Sequence, residues 1–155
     1  MKKLIAIILC GLTVYSLAAC TSKNATGGNA EIPNPFVDCA TLADAAKLTG
    51  FDITVPDSIE GYDTRAIQVM DNKMTQIIYT KADKNLLIRK QAGSDDISGD
   101  YSQYTETNTA ALGSIQVTMK GEDGMVSVAI WTDGGYTYAV DAQDAVGDGA
   151  EAASR

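Results

Sequence analysis

Residues 114–141 read SIQVTMK-GEDG-MVSVAIWT-DGG-YTYAVD, three alternating runs joined by two short turns. Three runs, Ser114–Lys120, Met125–Thr132 and Tyr136–Asp141, alternate apolar and polar residues with the period of two that marks a half-buried strand. Gly121-Glu122-Asp123-Gly124 and Asp133-Gly134-Gly135 separate them, and such short connections join antiparallel neighbours. Alternation assigns Ile115, Val117, Met119, Val126, Val128, Ile130, Tyr136, Tyr138 and Val140 to one face. Gln116, Thr118, Lys120, Ser127, Ala129, Trp131, Thr137 and Ala139 fall on the other. A sheet with one apolar and one mostly polar face packs on one side and meets water on the other.

The same rhythm extends upstream through Arg65–Met70, Met74–Lys81 and Leu86–Gln91, joined by Asp71-Asn72 and Asp83-Lys84-Asn85. Phe51, Ile53 and Val55 alternate before Pro56 and predict one more short strand. Before them, Leu42, Ala45, Ala46 and Leu48 recur at helical spacing, Asp38 or Thr41 can cap, and Gly50 stands where a left-handed C-terminal residue belongs. That predicts a helix of about ten residues within Asp38–Gly50. Gly93–Gly113 is polar and longer than most loops, so it is expected to cross an edge or one end of the sheet. The predicted class is α+β, a curved antiparallel sheet of about six to seven strands packed on one face by an N-terminal helix.

The N-terminus reads as an address. Lys2 and Lys3 precede an apolar run from Leu4 to Leu12, and small residues follow at Ala18 and Ala19, the build of a secretory signal peptide. Its Leu17-Ala18-Ala19-Cys20 ending resembles the bacterial lipobox. That resemblance implies cleavage before Cys20, diacylglycerol on its sulfur and acylation of the new amine. Thr21–Glu31, rich in Thr, Ser, Asn and Gly, then reads as a flexible tether. The expected organisation is a signal peptide over 1–19, lipidated Cys20 and tether over 20–33, a domain over 34–142, and a disordered polar tail over 143–155. The expected location is the outward leaflet of the cytoplasmic membrane of a Gram-positive cell.

At 155 residues, with 12 Lys and Arg against 20 Asp and Glu, the chain carries a net charge of −8. This argues against a nucleic-acid partner, whose phosphates must be neutralised by cations. The absence of His removes Ser-His and Cys-His catalysis and imidazole-ligated zinc together. With Cys10 lost and Cys20 lipidated, Cys39 is left alone and reads as a buried structural thiol. No residue is assigned a catalytic role, no cofactor is expected beyond the lipid on Cys20, and no enzyme activity is expected.

The candidate binding surface comprises Asp95, Asp96, Ser98, Asp100, Tyr101, Trp131 and Tyr136. Asp95, Asp96 and Asp100 offer oxygens to calcium, but they lack the EF-hand ladder, and Asp and Ser also cap turns. Trp131 can anchor a partner or a carbohydrate, or pack beneath the 93–113 crossing with Tyr101 and Tyr104 as a lid. Gly134-Gly135 has no following helix or Lys, so it is a hairpin turn rather than a phosphate loop. Arg65, Arg89 and Lys90 read as solvated strand positions.

Asn34-Pro35-Phe36, Thr49-Gly50-Phe51, Val55-Pro56, Asp96-Ile97-Ser98-Gly99-Asp100-Tyr101 and Ala129–Tyr136 together resemble a family of extracytoplasmic domains of unknown function in Gram-positive gut-type bacteria. Its members are small lipoproteins or stand behind anti-sigma-factor-like membrane anchors. The resemblance spans residues 34–142 and implies, remotely, the half-barrel of lipoprotein carriers and envelope-stress regulators. Members usually finish with an amphipathic helix, whereas Gln143–Arg155 has Val146 as its only large apolar residue. The resulting expectation is a membrane-anchored, non-catalytic binding or sensing module for an envelope protein. A carrier of lipid in the concave sheet face is the second reading, and an acid-based hydrolase using paired carboxylates the third.

Overall fold

A computed structural model of the chain describes residues 34–147. The expected signal peptide and tether, with Cys20, and residues 148–155 of the expected tail lie outside the described residues. The elements are β1 (Phe36–Cys39), α1 (Leu42–Thr49), β2 (Thr64–Met70), β3 (Met74–Lys81), β4 (Lys84–Ala92), β5 (Glu106–Leu112), β6 (Ile115–Glu122), β7 (Met125–Asp133) and β8 (Tyr136–Gly147). They form one eight-stranded sheet in the order β1-β2-β3-β4-β8-β7-β6-β5. Every pairing is antiparallel, so two four-strand meanders meet where β4 pairs with β8.

The α+β class is as expected, but the sheet has eight strands rather than six or seven. β1 and β5 are the additions, and neither shows the apolar alternation that reveals a strand in sequence, since both lie at sheet edges. The alternating Phe51, Ile53 and Val55 do not form a strand. Residues 143–147, expected in the polar tail, continue β8 alongside β7. The helix runs eight residues. Thr41 caps it by accepting from the Asp44 amide at 3.1 Å, and Gly50 closes it at φ 79° with its amide on the Ala46 carbonyl at 2.8 Å. Asp38 belongs to β1 instead, where it accepts from Gln68.

Hairpin turns set the register. Gly134 and Gly135 both have positive φ, the primed-turn geometry, and directly pair Asp133 with Tyr136. Trp131 therefore pairs with Tyr138 and Val117, and Ile130 with Ala139 and Thr118. This reverses the expected sidedness of β7. Because side chains alternate strictly, a one-residue error flips a whole strand. Val128 and Ile130 join Ala139, while Ala129 and Trp131 join Val117, Tyr138 and Val140.

Both faces consequently carry a core. On the first, α1 packs against β1, β2 and β3, and Ala45 meets Ile67 and Val69 with Cys39 and Leu42 alongside. Cys39 is half-buried there, and burial followed by the charges of Asp44 and Asp38 raises its thiol pKa, keeping it protonated. This is the helix face. On the other, Met74, Ile97 and Ala139 cluster with Phe36, Met70 and Ile130. Four antiparallel steps from β4 to β5 leave those two strands running the same way. Residues 93–105 must therefore travel along the sheet as well as across it, and they lie over this second face rather than around an edge. This is the crossing face.

One buried polar atom stands out on the helix face of β3. Thr75 is fully buried and its hydroxyl finds no hydrogen-bond partner among the described residues. A buried, unpaired hydroxyl costs free energy that an apolar group of the same shape does not. Thr75→Val is expected to raise stability by about 1 kcal/mol, read as a higher urea midpoint at unchanged slope; a lower midpoint contradicts this.

Candidate functional site

The two cations at the centre of β4 point to opposite faces and organise both. On the crossing face a polar row follows the strand register, Asp38 opposite Gln68, Gln68 opposite Gln76, and Gln76 opposite Arg89. Gln68 donates to Asp38 at 2.9 Å, Gln76 to Gln68 at 3.2 Å, and Arg89 Nε to Gln76 at 2.6 Å. The Arg89 guanidinium then donates to the carbonyls of Ile97 and Ser98 in the crossing. Burial lowers the Arg89 pKa, opposed by the carboxylate of Asp141 nearby. Arg89 thus ties the buried turn at 97–98 to the sheet.

Two of the three acidic residues of the crossing, Asp96 and Asp100, hold its turns. Asp96 accepts from the Ser98 amide at 2.9 Å, the Ser98 hydroxyl at 2.7 Å and Lys120 of β6 at 3.0 Å. Asp100 accepts from the Ser102 amide at 2.7 Å and from the Tyr104 hydroxyl. Each carboxylate closes its own turn, the side-chain-to-backbone chemistry that Asp favours in loops. Among the described residues no group of three acidic or thiol ligands is placed to hold a metal ion.

These contacts set opposite pH behaviour in neighbouring carboxyls. Burial alone raises Asp96, but hydrogen bonds from Ser98 and Lys120 bring it below its ordinary value, and those from Ser102 and Tyr104 do the same for Asp100. Asp141 on β8 is raised, first by burial and then by the charge of Asp100, against the pull of Arg89. Asp96 and Asp100 therefore contribute stability above the unfolded carboxylate range, about pH 4, and lose it as pH falls through their lowered values. Asp141 contributes below that range and loses it as pH rises through its raised value. Asp141→Asn is expected to raise the melting temperature at pH 7 and Asp96→Asn to lower it, with both differences shrinking by pH 3. Melts across that range check this, and a destabilised Asp141→Asn at pH 7 contradicts it.

On the helix face Lys90 is buried without a carboxylate partner among its described contacts. Its ammonium lies 4.3 Å from the Tyr136 ring centroid and 5.2 Å from those of Phe51 and Tyr138, and donates to the Asp52 carbonyl at 2.6 Å. Ring faces and one carbonyl replace its water. Tyr138 in turn stacks on Trp131, with centroids 5.3 Å apart and planes within 4°. The 51–63 segment reaches β4, β8 and β3 here, with Phe51 against Tyr136, Tyr62 against Tyr79, and the Tyr79 hydroxyl on the Pro56 carbonyl. Beyond Phe51 the apolar row continues through Tyr138, Trp131 and Val117, with Val140, Ala129 and Met119 beside it, all half-buried.

The predicted surface therefore divides. Asp95, Asp96, Ser98, Asp100 and Tyr101 belong to the crossing, where Ser98 is buried and Tyr101 is 93% exposed. Trp131 and Tyr136 are on the opposite face, so Trp131 does not pack beneath the crossing. Arg65, Arg89 and Lys90 are not simple solvated positions. Arg65 is half-buried and bonds Asp57 at 2.8 Å, Arg89 holds the crossing, and Lys90 sits within three rings. Adjacent cations after Leu86-Leu87-Ile88 need a partner on each face only because β4 is an interior strand, which the sequence alone does not show. Comparison with family models, curated proteins and solved structures finds no match to the chain.

Proposed function

We propose that the chain is an extracytoplasmic lipoprotein, anchored by acyl lipid on Cys20, that acts without catalysis by binding another envelope protein. Support for this reading comes from the partly exposed row of the helix face, Tyr138, Trp131 and Val117 with Val140 and Met119. A contiguous apolar patch left partly wet marks an interaction surface. The stacked Trp131–Tyr138 pair supplies the aromatic anchor on which binding energy concentrates. The N-terminal pattern, and the resemblance to extracytoplasmic domains of Gram-positive bacteria, support the location. Among the described residues no helix is long and apolar enough to cross a membrane.

Trp131→Ala is expected to reduce cross-linking of the lipoprotein to its envelope partner about 30-fold, with stability changed by about 1 kcal/mol. Retained cross-linking contradicts the role of this face. A second reading, a carrier of an apolar ligand, draws support from the same row, because it is an apolar surface beyond the one that α1 covers. Native mass spectrometry of the detergent-free protein separates the two. A discrete added mass of lipid size favours the carrier, and a bare mass favours protein binding.

A further inference from the structure

The two edges of the sheet differ in a way that points to a partner. β1 is four residues long, begins just after Pro35 and carries Asp38, so length, proline and charge all blunt it. β5 is longer, has no proline and carries a charge only at its first residue, Glu106. Its seven residues pair with β6 without a register shift, and Thr107–Leu112 contains no charge and no proline. All six residues are exposed. As the last strand of the sheet, β5 turns one side of its backbone to β6 and the other outward, and outward amides and carbonyls are completed by another extended strand.

We propose that this strand is β5 of a second copy, paired antiparallel about a two-fold axis through Thr109. Residues opposite each other in an antiparallel pair must point to the same face, so β5 can meet itself only in even registers. Of these, the register centred on Thr109 overlaps all seven residues. It sets Glu106 against Leu112 of the second copy, Thr107 against Ala111 and Asn108 against Ala110, with no like charges opposed. For a chain of net charge −8, a neutral edge is where two copies can meet closely. Geometry at the other edge agrees. The described chain enters at Asn34 beside β1, seven strand spacings or about 34 Å from β5. Pairing through β5 therefore leaves both entry points at the outer ends. The axis stands normal to the sheet, so the two helix faces lie on the same side and their apolar rows form one broader platform.

The test uses the full chain in intact cells, with single cysteines on β5 and mild oxidation. Directly opposed strand residues are close enough for a disulfide. Thr109→Cys is expected to give a reducible species of twice the monomer mass, with peptide mass spectrometry finding position 109 linked to position 109. Thr107→Cys alone should not, because its counterpart lies about 14 Å away along the strand. Co-expressed Thr107→Cys and Ala111→Cys copies should link to each other. All three positions are exposed, and equal protein levels confirm that the variants fold. Absence of the 109–109 link, equal linking at 107 alone, or an adduct with the mass of a different protein each overturns the proposal.

Discussion

Replacing Arg89 with Met is expected to cost about 3 kcal/mol and to loosen the crossing before the rest of the domain unfolds. The guanidinium serves three acceptors, Gln76 and the carbonyls of Ile97 and Ser98, and Met offers none of them a donor. Gln76 is buried, so its carbonyl oxygen would lose its Arg89 partner in a dry environment. Ile97, which closes the cluster with Met74 and Ala139, would lose the anchor that seats it. Urea unfolding gives the total cost, and amide exchange over 94–104 shows whether the crossing opens locally. Gly99→Ala should reproduce much of the effect. Gly99 has φ +69°, and a Cβ there would overlap Arg89 Nη1 and stand 3.2 Å from its Cζ. A loss under 1 kcal/mol for Arg89→Met, with exchange unchanged, would contradict the clamp.

Gly121→Ala is expected to be the most damaging single methyl in the domain, at about 3 kcal/mol. Gly121 is buried at the register shift between β6 and β7. A Cβ there would overlap the Met125 carbonyl oxygen and lie 2.8 Å from the Met125 carbonyl carbon. These are backbone atoms, which cannot rotate aside, so the bulge itself must move. Gly134→Ala is the informative comparison. It has positive φ but open space around it, and should cost only about 1 kcal/mol in backbone strain. Equal costs at the two positions would show that crowding at the bulge is not the cause.

What the sequence reveals follows from how strongly burial is patterned. β3 and β7, interior to the sheet, carry Ile77-Ile78-Tyr79 and Val128–Trp131 and begin at their expected residues, Met74 and Met125. β5 is nearly all exposed, so burial imposes no alternation on Thr107–Leu112 and the strand hides inside a polar loop. Phe51, Ile53 and Val55 err in the other direction. Phe51 packs against Tyr136 and Lys90 from an irregular segment, so apolar alternation there reports burial rather than strand. Sidedness failed at β7 because Val128, Ile130, Ala129 and Trp131 give that strand apolar residues on both faces, and only the turn at Gly134-Gly135 fixes which is which. The role of Asp96 and Asp100 in capping turns was legible from their Ser and Asp neighbours. The roles of Arg89 and Lys90 were not, because each depends on a segment distant in sequence, the crossing for one and Phe51 for the other.

Binding of an envelope protein to the helix face of β6–β8 can be read by photo-cross-linking the full chain in cells from adjacent residues of one strand. Val117 and Thr118 are both half-buried on β6 and point to opposite faces. A photoreactive side chain at Val117 is expected to yield one discrete adduct of protein mass, and the same group at Thr118 none. Adducts of lipid mass from Val117, or equal protein adducts from both positions, would show that this face is not where an envelope protein binds.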